Sequence, residues 1–264
     1  MDPRGARLPP GGGGTRHLGV KSALGPLGRF HELSVPTSDI RASIEFYERL
    51  GFTQAATGDT WSHPYGVLTD GRIVVGLHES STRPAALTFV HPGVVEQGAA
   101  LAQRGVRLEY TRSGTEVFNE VGLRDPAGQD IVILEARTYS PVARSAQETS
   151  ACGYFMHYGM PAADFEAARS FWERLGFVAT DEASVPYAHQ PLTSDHLDLA
   201  FHAPRLLNQP VLVFVDEDMA ARIARLDELG VSVGRSVPRG LDAGSSALVE
   251  APEGTLLLLL TGGD

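Results

Sequence analysis

The chain is short of the residues on which several kinds of chemistry depend. One cysteine, Cys152, stands in 264 residues. Neither an internal disulfide nor a cysteine-rich zinc site is therefore available, and the folded state must rest on burial. The one lysine, Lys21, lies in a leader of low complexity, which takes Schiff-base and lysine general-base chemistry out of the folded part. Crossing a bilayer needs roughly 20 apolar residues. The longest leucine run, Leu256 to Leu260, is far shorter. No charged-then-apolar leader opens the chain, so the expected place is the cytoplasm. Positive charge is scarce as well, with 22 Lys+Arg against 32 Asp+Glu and a net charge of −10. That balance is the opposite of what nucleic-acid phosphates require. Neither a G-x-x-x-x-G-K phosphate loop nor a G-x-S-x-G elbow occurs in a strand-to-helix context. What remains is a chain of 42% hydrophobic residues, long enough for one large domain or two ordinary ones. The expected partner is a small molecule or another copy.

An internal repeat decides the organisation. Phe46-Tyr47-Glu48-Arg49-Leu50-Gly51-Phe52 recurs as Phe171-Trp172-Glu173-Arg174-Leu175-Gly176-Phe177, six identities in seven at an offset of 125. Gly105-Val106 matches Gly230-Val231, His78 matches His202, and Pro126-x-Gly128 matches Pro252-x-Gly254 at nearly the same offset. The expected domains are 29–138 and 153–264, after a disordered tail over 1–28 and joined by a polar linker over 139–152. Within the first half, Phe30 to Val35 reads as a strand. Ser38 or Asp39 then caps a helix whose Ile40, Ile44, Tyr47 and Leu50 fall at helical spacing, stopped by Gly51. Strands follow at 66–69 and 73–78 around an Asp70-Gly71 turn. The pattern restarts with a strand at 86–90, a helix at 94–104 and strands near 117–123 and 131–135. Each half thus reads as two β-α-β-β-β units. The whole is an α+β chain with four.

The segment V-P-T-S-D-I-R-A-S-I-E-F-Y-E-R-L-G-F over 35–52, with D-P-A-G-Q-D-I-V-I-L-E over 125–135, resembles the vicinal oxygen chelate superfamily. That group holds glyoxalase I, extradiol dioxygenases, fosfomycin-resistance transferases and bleomycin-binding proteins. The resemblance implies two tandem glyoxalase-like domains, with curved mixed sheets around clefts, as a fused form of the family's usual dimer. It also implies a divalent metal held by His and Glu at fixed places on four strands. Carried onto this chain, those places fall on Phe30, Gly76, Ala85 and Val132, and on Phe155, Ala200, Pro210 and Leu258. None of these side chains donates to a hard cation.

The expected function is accordingly metal-free and cofactor-free binding of an organic ligand in an aromatic cleft, as in the bleomycin-resistance branch. The alternative is a metal-dependent glyoxalase, lyase or dioxygenase with shifted ligands drawn from Glu32, His78, His157 and His202. Strand alternation turns Phe30, Glu32 and Ser34 inward and His31 outward, and groups Phe155, His157 and Gly159 inward. Trp61, His63 and Tyr65 sit in a loop where this fold places its cleft mouth, and offer stacking area with hydrogen-bonding tips. Phe118 and Glu120 lie before the D-P-x-G turn, where Glu120 is a candidate base. The expected ligand contacts are therefore Glu32, Trp61, His63, Tyr65, His78, Phe118, His157 and His202. A scaffold with filled clefts is the remaining reading. The assembly is expected to be a monomer of pseudo-dimeric halves or a homodimer.

Overall fold

The computed structural model describes residues 24–56, 61–79, 82–115, 117–136, 150–234 and 237–262. In the first half β1 (Arg29–Thr37), α1 (Ile40–Arg49), β2 (Thr53–Gln54), β3 (Tyr65–Thr69) and β4 (Val74–Glu79) make one unit. The second unit is β5 (Ala86–His91), α2 (Val94–Gln103), β6 (Leu108–Arg112), β7 (Glu120–Arg124) and β8 (Asp130–Glu135). They join through the antiparallel β1–β5 pair into one eight-stranded sheet of order β2-β3-β4-β1-β5-β8-β7-β6. The second half repeats this. It runs β9 (Tyr154–Pro161), α3 (Phe165–Arg174), β10 (Val178–Ala179), β11 (His189–Thr193), β12 (Leu199–His202), then β13 (Val211–Asp216), α4 (Met219–Glu228), β14 (Val233–Gly234), β15 (Ala247–Glu250) and β16 (Leu256–Thr261). Its sheet order is β10-β11-β12-β9-β13-β16-β15-β14. The fold is α+β with four β-α-β-β-β units in tandem. No helix of the described residues is long and apolar enough to cross a membrane.

Local chemistry sets the helix ends. Asp39 caps α1 by accepting from the Ala42 N–H, and Asp164 caps α3 from the Ala167 N–H. Gly51 and Gly176 follow with φ of 87° and 95°, a conformation that relieves the helix end and suits glycine. Strand β7 begins at Glu120, later than the sequence pattern predicts, because Val117 and Phe118 are half exposed and leave the sheet.

One face of each sheet packs under its helices into a continuous apolar core holding Leu33, Val35, Leu77 and Phe89 with Phe155, Met160 and Phe214. The other face of the first sheet carries Ala86, Val90, Val132 and Leu134 beside Trp61. A bulge between Phe30 and Glu32 corrects the expected alternation. Phe30 turns to the core, edge-on to Phe89 at 5.5 Å, while Glu32 stays on the opposite face and His31 is buried beside it. Strand β9 does the same: a shift between Val213 and Phe214 sends Phe155 to the core and leaves His157 on the far face.

Of the expected tail, 1–23 lies outside the described residues. Leu27 packs in the core, and the Gln97 amide donates to the Pro26 carbonyl, so the ordered part begins before residue 29. Residues 139–149 of the expected linker also lie outside the described residues. At its end Ala151 donates to the Leu50 carbonyl and Cys152 is buried, its thiol pushed up to about 12 chiefly by burial.

The repeated motifs interlock the halves. Trp172, fully buried on α3, donates its indole N–H to Asp125 of the first half's D-P-x-G turn at 3.1 Å. In return, Tyr47 on α1 donates its hydroxyl to Glu253, in the equivalent turn of the second half, at 2.8 Å. Ser43 donates to the same carboxylate at 2.8 Å. Glu253→Ala removes the carboxylate acceptor of the fully buried Tyr47 hydroxyl, leaves Thr255 as its side-chain partner, and is expected to cost about 1 kcal/mol in urea unfolding. Adding Tyr47→Phe removes the hydroxyl that has lost its acceptor and should return part of the loss. Wild-type stability in Glu253→Ala would refute the interlock.

Candidate functional site

Glu32 is the centre of the first half's polar cluster, and it is fully buried. Its carboxylate lies directly over Gly76, where an added Cβ would come within 2.0 Å of Oε2. Oε1 accepts from His78 Nε2 at 2.7 Å and from the Ser34 hydroxyl at 2.7 Å, and Oε2 accepts from Tyr65. Since Ser34 has a single hydroxyl proton and gives it to Glu32, Thr88 must donate to Ser34 across their 2.7 Å contact. Burial pushes the Glu32 carboxyl upward. The hydrogen bond and charge of His78, the charge of His31 and the Ser34 hydroxyl outweigh it and hold the group at about 2.

His78 passes the contact outward. Its Nδ1 meets His63 Nε2 at 3.0 Å, and Trp61 stands edge-on to it at 4.7 Å. These groups form one wall of a cavity of about 610 Å³. Ala86, Val132 and Leu134 line its floor. The other wall comes from Arg83, Tyr110 and Arg112. Behind it, buried Glu120 takes two bonds from Arg83, at 3.0 and 3.2 Å, and one contact from Arg112 at 2.8 Å. Held by two guanidinium groups, Glu120 is placed as an anchor for arginines rather than as the free base its position in the sequence suggests. Tyr110 lies over Gly122, where a Cβ would meet its ring at 2.2 Å, and Arg112 stacks on that ring at 5.2 Å.

The structure brings five expected contacts together in the first half: Glu32, Trp61, His63, Tyr65 and His78. Glu32 supports the wall from behind His78 rather than lining the cavity. Phe118 does not join them; it is half exposed and outside the lining. His157 and His202 lie on the other sheet, so the four residues of the shifted-ligand alternative do not converge. Arg83 and Arg112 were not singled out by the sequence pattern, which named Ser34 only as an inward neighbour of Glu32 and Gly76 only as a place unable to hold a metal. The one available signal was Gly76, two residues before His78 on the same strand face.

The second half fills its corresponding face. Tyr187, Val213, Leu258 and Leu260 pack there with Leu206, Leu207 and Leu241. Under this cover His157, His189 and His202 are all buried, with the His157 ring 3.3 Å from the Tyr187 hydroxyl. Burial, then His189 and His202, lower His157 to about 3. Burial likewise lowers His202 to about 4, against the nearby Leu207 backbone, which favours the charged ring.

The donors present do not fit a divalent metal. Among the described residues no group of three or more His, Cys, Asp or Glu is arranged to hold one. Both Glu32 oxygens are already taken by His78, Ser34 and Tyr65, and the neighbouring strands offer Ala86, Thr88 and Val132 on that face.

No family model and no curated protein matches the chain in sequence. Solved structures do match it in shape. A catechol 2,3-dioxygenase superposes with a TM-score of 0.57 at 17% identity, over 91% of this chain and 89% of the other. The 2,3-dioxygenase LapB from Pseudomonas sp. KL28 gives 0.60 at 14% identity, over 91% and 94%. Homoprotocatechuate 2,3-dioxygenase from Arthrobacter globiformis gives 0.56 at 18%, over 91% and 82%. What this chain shares with these extradiol dioxygenases is the tandem fold; within it, this chain's first half lines a cavity and its second half covers the corresponding face with its own side chains.

Proposed function

We propose that the first half binds a planar organic molecule in the 610 Å³ cavity without a metal. The observation that carries this reading is the lining itself: an apolar floor between an aromatic wall of Trp61, His63 and His78 and a wall of Arg83 and Arg112. That volume lies in the range of small-molecule sites, and the mixture offers stacking area with a few directional polar groups. The two arginines, held by Glu120, suit a ligand with a hydroxyl or carboxylate at one edge.

A second reading is favoured by the shape comparison: a metal-dependent enzyme of the dioxygenase type, acting on a catechol. One experiment separates the two. Chelator-treated protein is titrated with catechols, other phenols and planar heteroaromatic acids while its melting is followed. Saturable stabilisation by a panel member is expected, worth about 2.7 kcal/mol when the ligand stands a hundredfold above its Kd. Trp61→Ala should weaken that binding about tenfold through lost stacking. No stabilisation by any compound would overturn the binding reading. Oxygen uptake with catechol that appears on adding a divalent transition metal and vanishes on chelation would replace it with the second.

A further inference from the structure

From the hydrogen-bonded chain Glu32–His78–His63 we infer that the first-half cavity carries a proton-transfer activity, with His63 as the base for weakly acidic C–H or O–H groups of a planar ligand. The inference rests on the binding reading above and adds a reaction to it. Glu32 Oε1 takes the Nε2 proton of His78 at 2.7 Å, which leaves His78 Nδ1 as the acceptor facing His63 Nε2 at 3.0 Å. His63 then donates from Nε2, and its Nδ1 keeps a lone pair. Among the described residues no hydrogen bond engages that nitrogen, and His63 lines the cavity. Three features of the surroundings favour the arrangement. Glu32 is fully buried and fixed at both oxygens, so it orients His78 rather than wandering. Trp61 packs edge-on against His78 and covers it. Burial, with His78 and Arg83 nearby, lowers His63, which leaves the ring neutral and able to accept at neutral pH.

The proton balance closes within the chain. A ligand proton arrives at His63 Nδ1, the proton on His63 Nε2 passes to His78 Nδ1, and the positive charge comes to rest beside ionised Glu32. Running the steps backward returns the proton to the ligand or to water. His63 is the catalytic residue here, and His78 and Glu32 are positioning residues.

The probe is nitrobenzisoxazole, a planar heteroaromatic whose ring C–H needs only a base. As the proton leaves, the C–H electron pair forms the nitrile, the ring N–O bond breaks, and the oxygen departs as a coloured phenolate. No oxidant, reductant or metal enters. Wild-type protein, treated with chelator, should show saturable turnover, and His63→Gln should lower kcat about a hundredfold with KM little changed. His63 is only partly buried on a loop, so this variant is expected to fold, which melting verifies. Glu32→Gln tests the relay. Removing the negative charge disfavours the protonated imidazoles, so the acid limb of the kcat profile should move to lower pH as kcat falls. The other titratable groups facing the pair are His31 and Tyr65 from β1 and β3, and Arg83 with Glu120 and Arg112 behind it. All of them are retained in both variants. Saturable turnover unchanged by His63→Gln would overturn the relay while leaving the cavity standing. No saturable turnover of the probe by a wild type that the ligand panel still stabilises would overturn the relay alone, whereas the binding reading falls only if no panel compound stabilises the protein. An acid limb unmoved in Glu32→Gln would remove Glu32 from the scheme.

Discussion

Lowering the pH from 7 to 5 is expected to strip about 4 kcal/mol of folding stability from this protein through two histidines of the second half. His157 and His202 are buried as neutral rings, held near 3 and 4 instead of their ordinary 6.5. A folded-state value below the unfolded one means that the unfolded chain takes up protons first. The stability these rings contribute is complete above 6.5 and is lost as the pH falls toward their folded values. Each costs about 2 kcal/mol by pH 5. Glu32 acts in a different window: its folded value near 2 lies below its ordinary 4.5, so its contribution is lost only between those values. Urea unfolding at a series of pH values, on wild type and on a His157→Asn, His202→Asn double variant, isolates the two histidines. The difference in stability between the two proteins should shrink by about 4 kcal/mol over that interval. A pH-independent difference would show that the rings are not buried neutral. Should the variant fail to fold, imidazole resonances of the wild type decide instead: His157 and His202 must not titrate above pH 5.

The second large effect is expected from Gly76→Ala. A Cβ there would lie 2.0 Å from Glu32 Oε2 and 2.1 Å from its carboxyl carbon, so the carboxylate must leave. The Glu32 side chain is flexible, and the steric conflict alone is cheap to relieve. The cost comes from what it abandons: His78, Ser34 and Tyr65, in a place with no water to replace them. Breaking a buried, hydrogen-bonded charge in this manner costs about 3 kcal/mol, a fall in Tm of about 8 °C for a chain of this size. The second half carries the compatible pairing, with Ala200 at the place of Gly76 and His157 at that of Glu32. In a double-mutant cycle, Gly76→Ala in a Glu32→Gln background should cost less than alone, because no charge is then displaced. Additive losses would mean that the carboxylate does not rest on Gly76.

Much of the architecture is legible in the sequence. The offset of 125 between the two F-[YW]-E-R-L-G-F segments and the Asp39 and Gly51 helix boundaries rest on local spacing. They translate directly into four β-α-β-β-β units. Aromatic and imidazole enrichment over residues 61–78 marked the wall of the cavity for the same reason, since Trp61, His63, Tyr65 and His78 all belong to one loop and hairpin. Phe118 illustrates the limit: its sequence reads as strand, yet it sits before β7 and half exposed, because pairing with β6 and β8 begins only at Glu120.

The amino-acid order by itself determined the tandem halves, their helices and turns, and the loop that faces the cavity. These follow from periodicity and capping within a few residues. Only the tertiary structure decided which side chains the cavity sees. Two bulges turn Phe30 and Phe155 into the core, and the parallel β1–β4 register sets Glu32 over Gly76. Arg83 reaches Glu120 from a distant segment while Arg112 faces it from the paired strand β6, and Leu206, Leu207 and Leu241 close the second face. Strand register and bulges arise from hydrogen bonds between segments tens of residues apart, and a shift of one residue reverses every side chain after it, so no local pattern contains them.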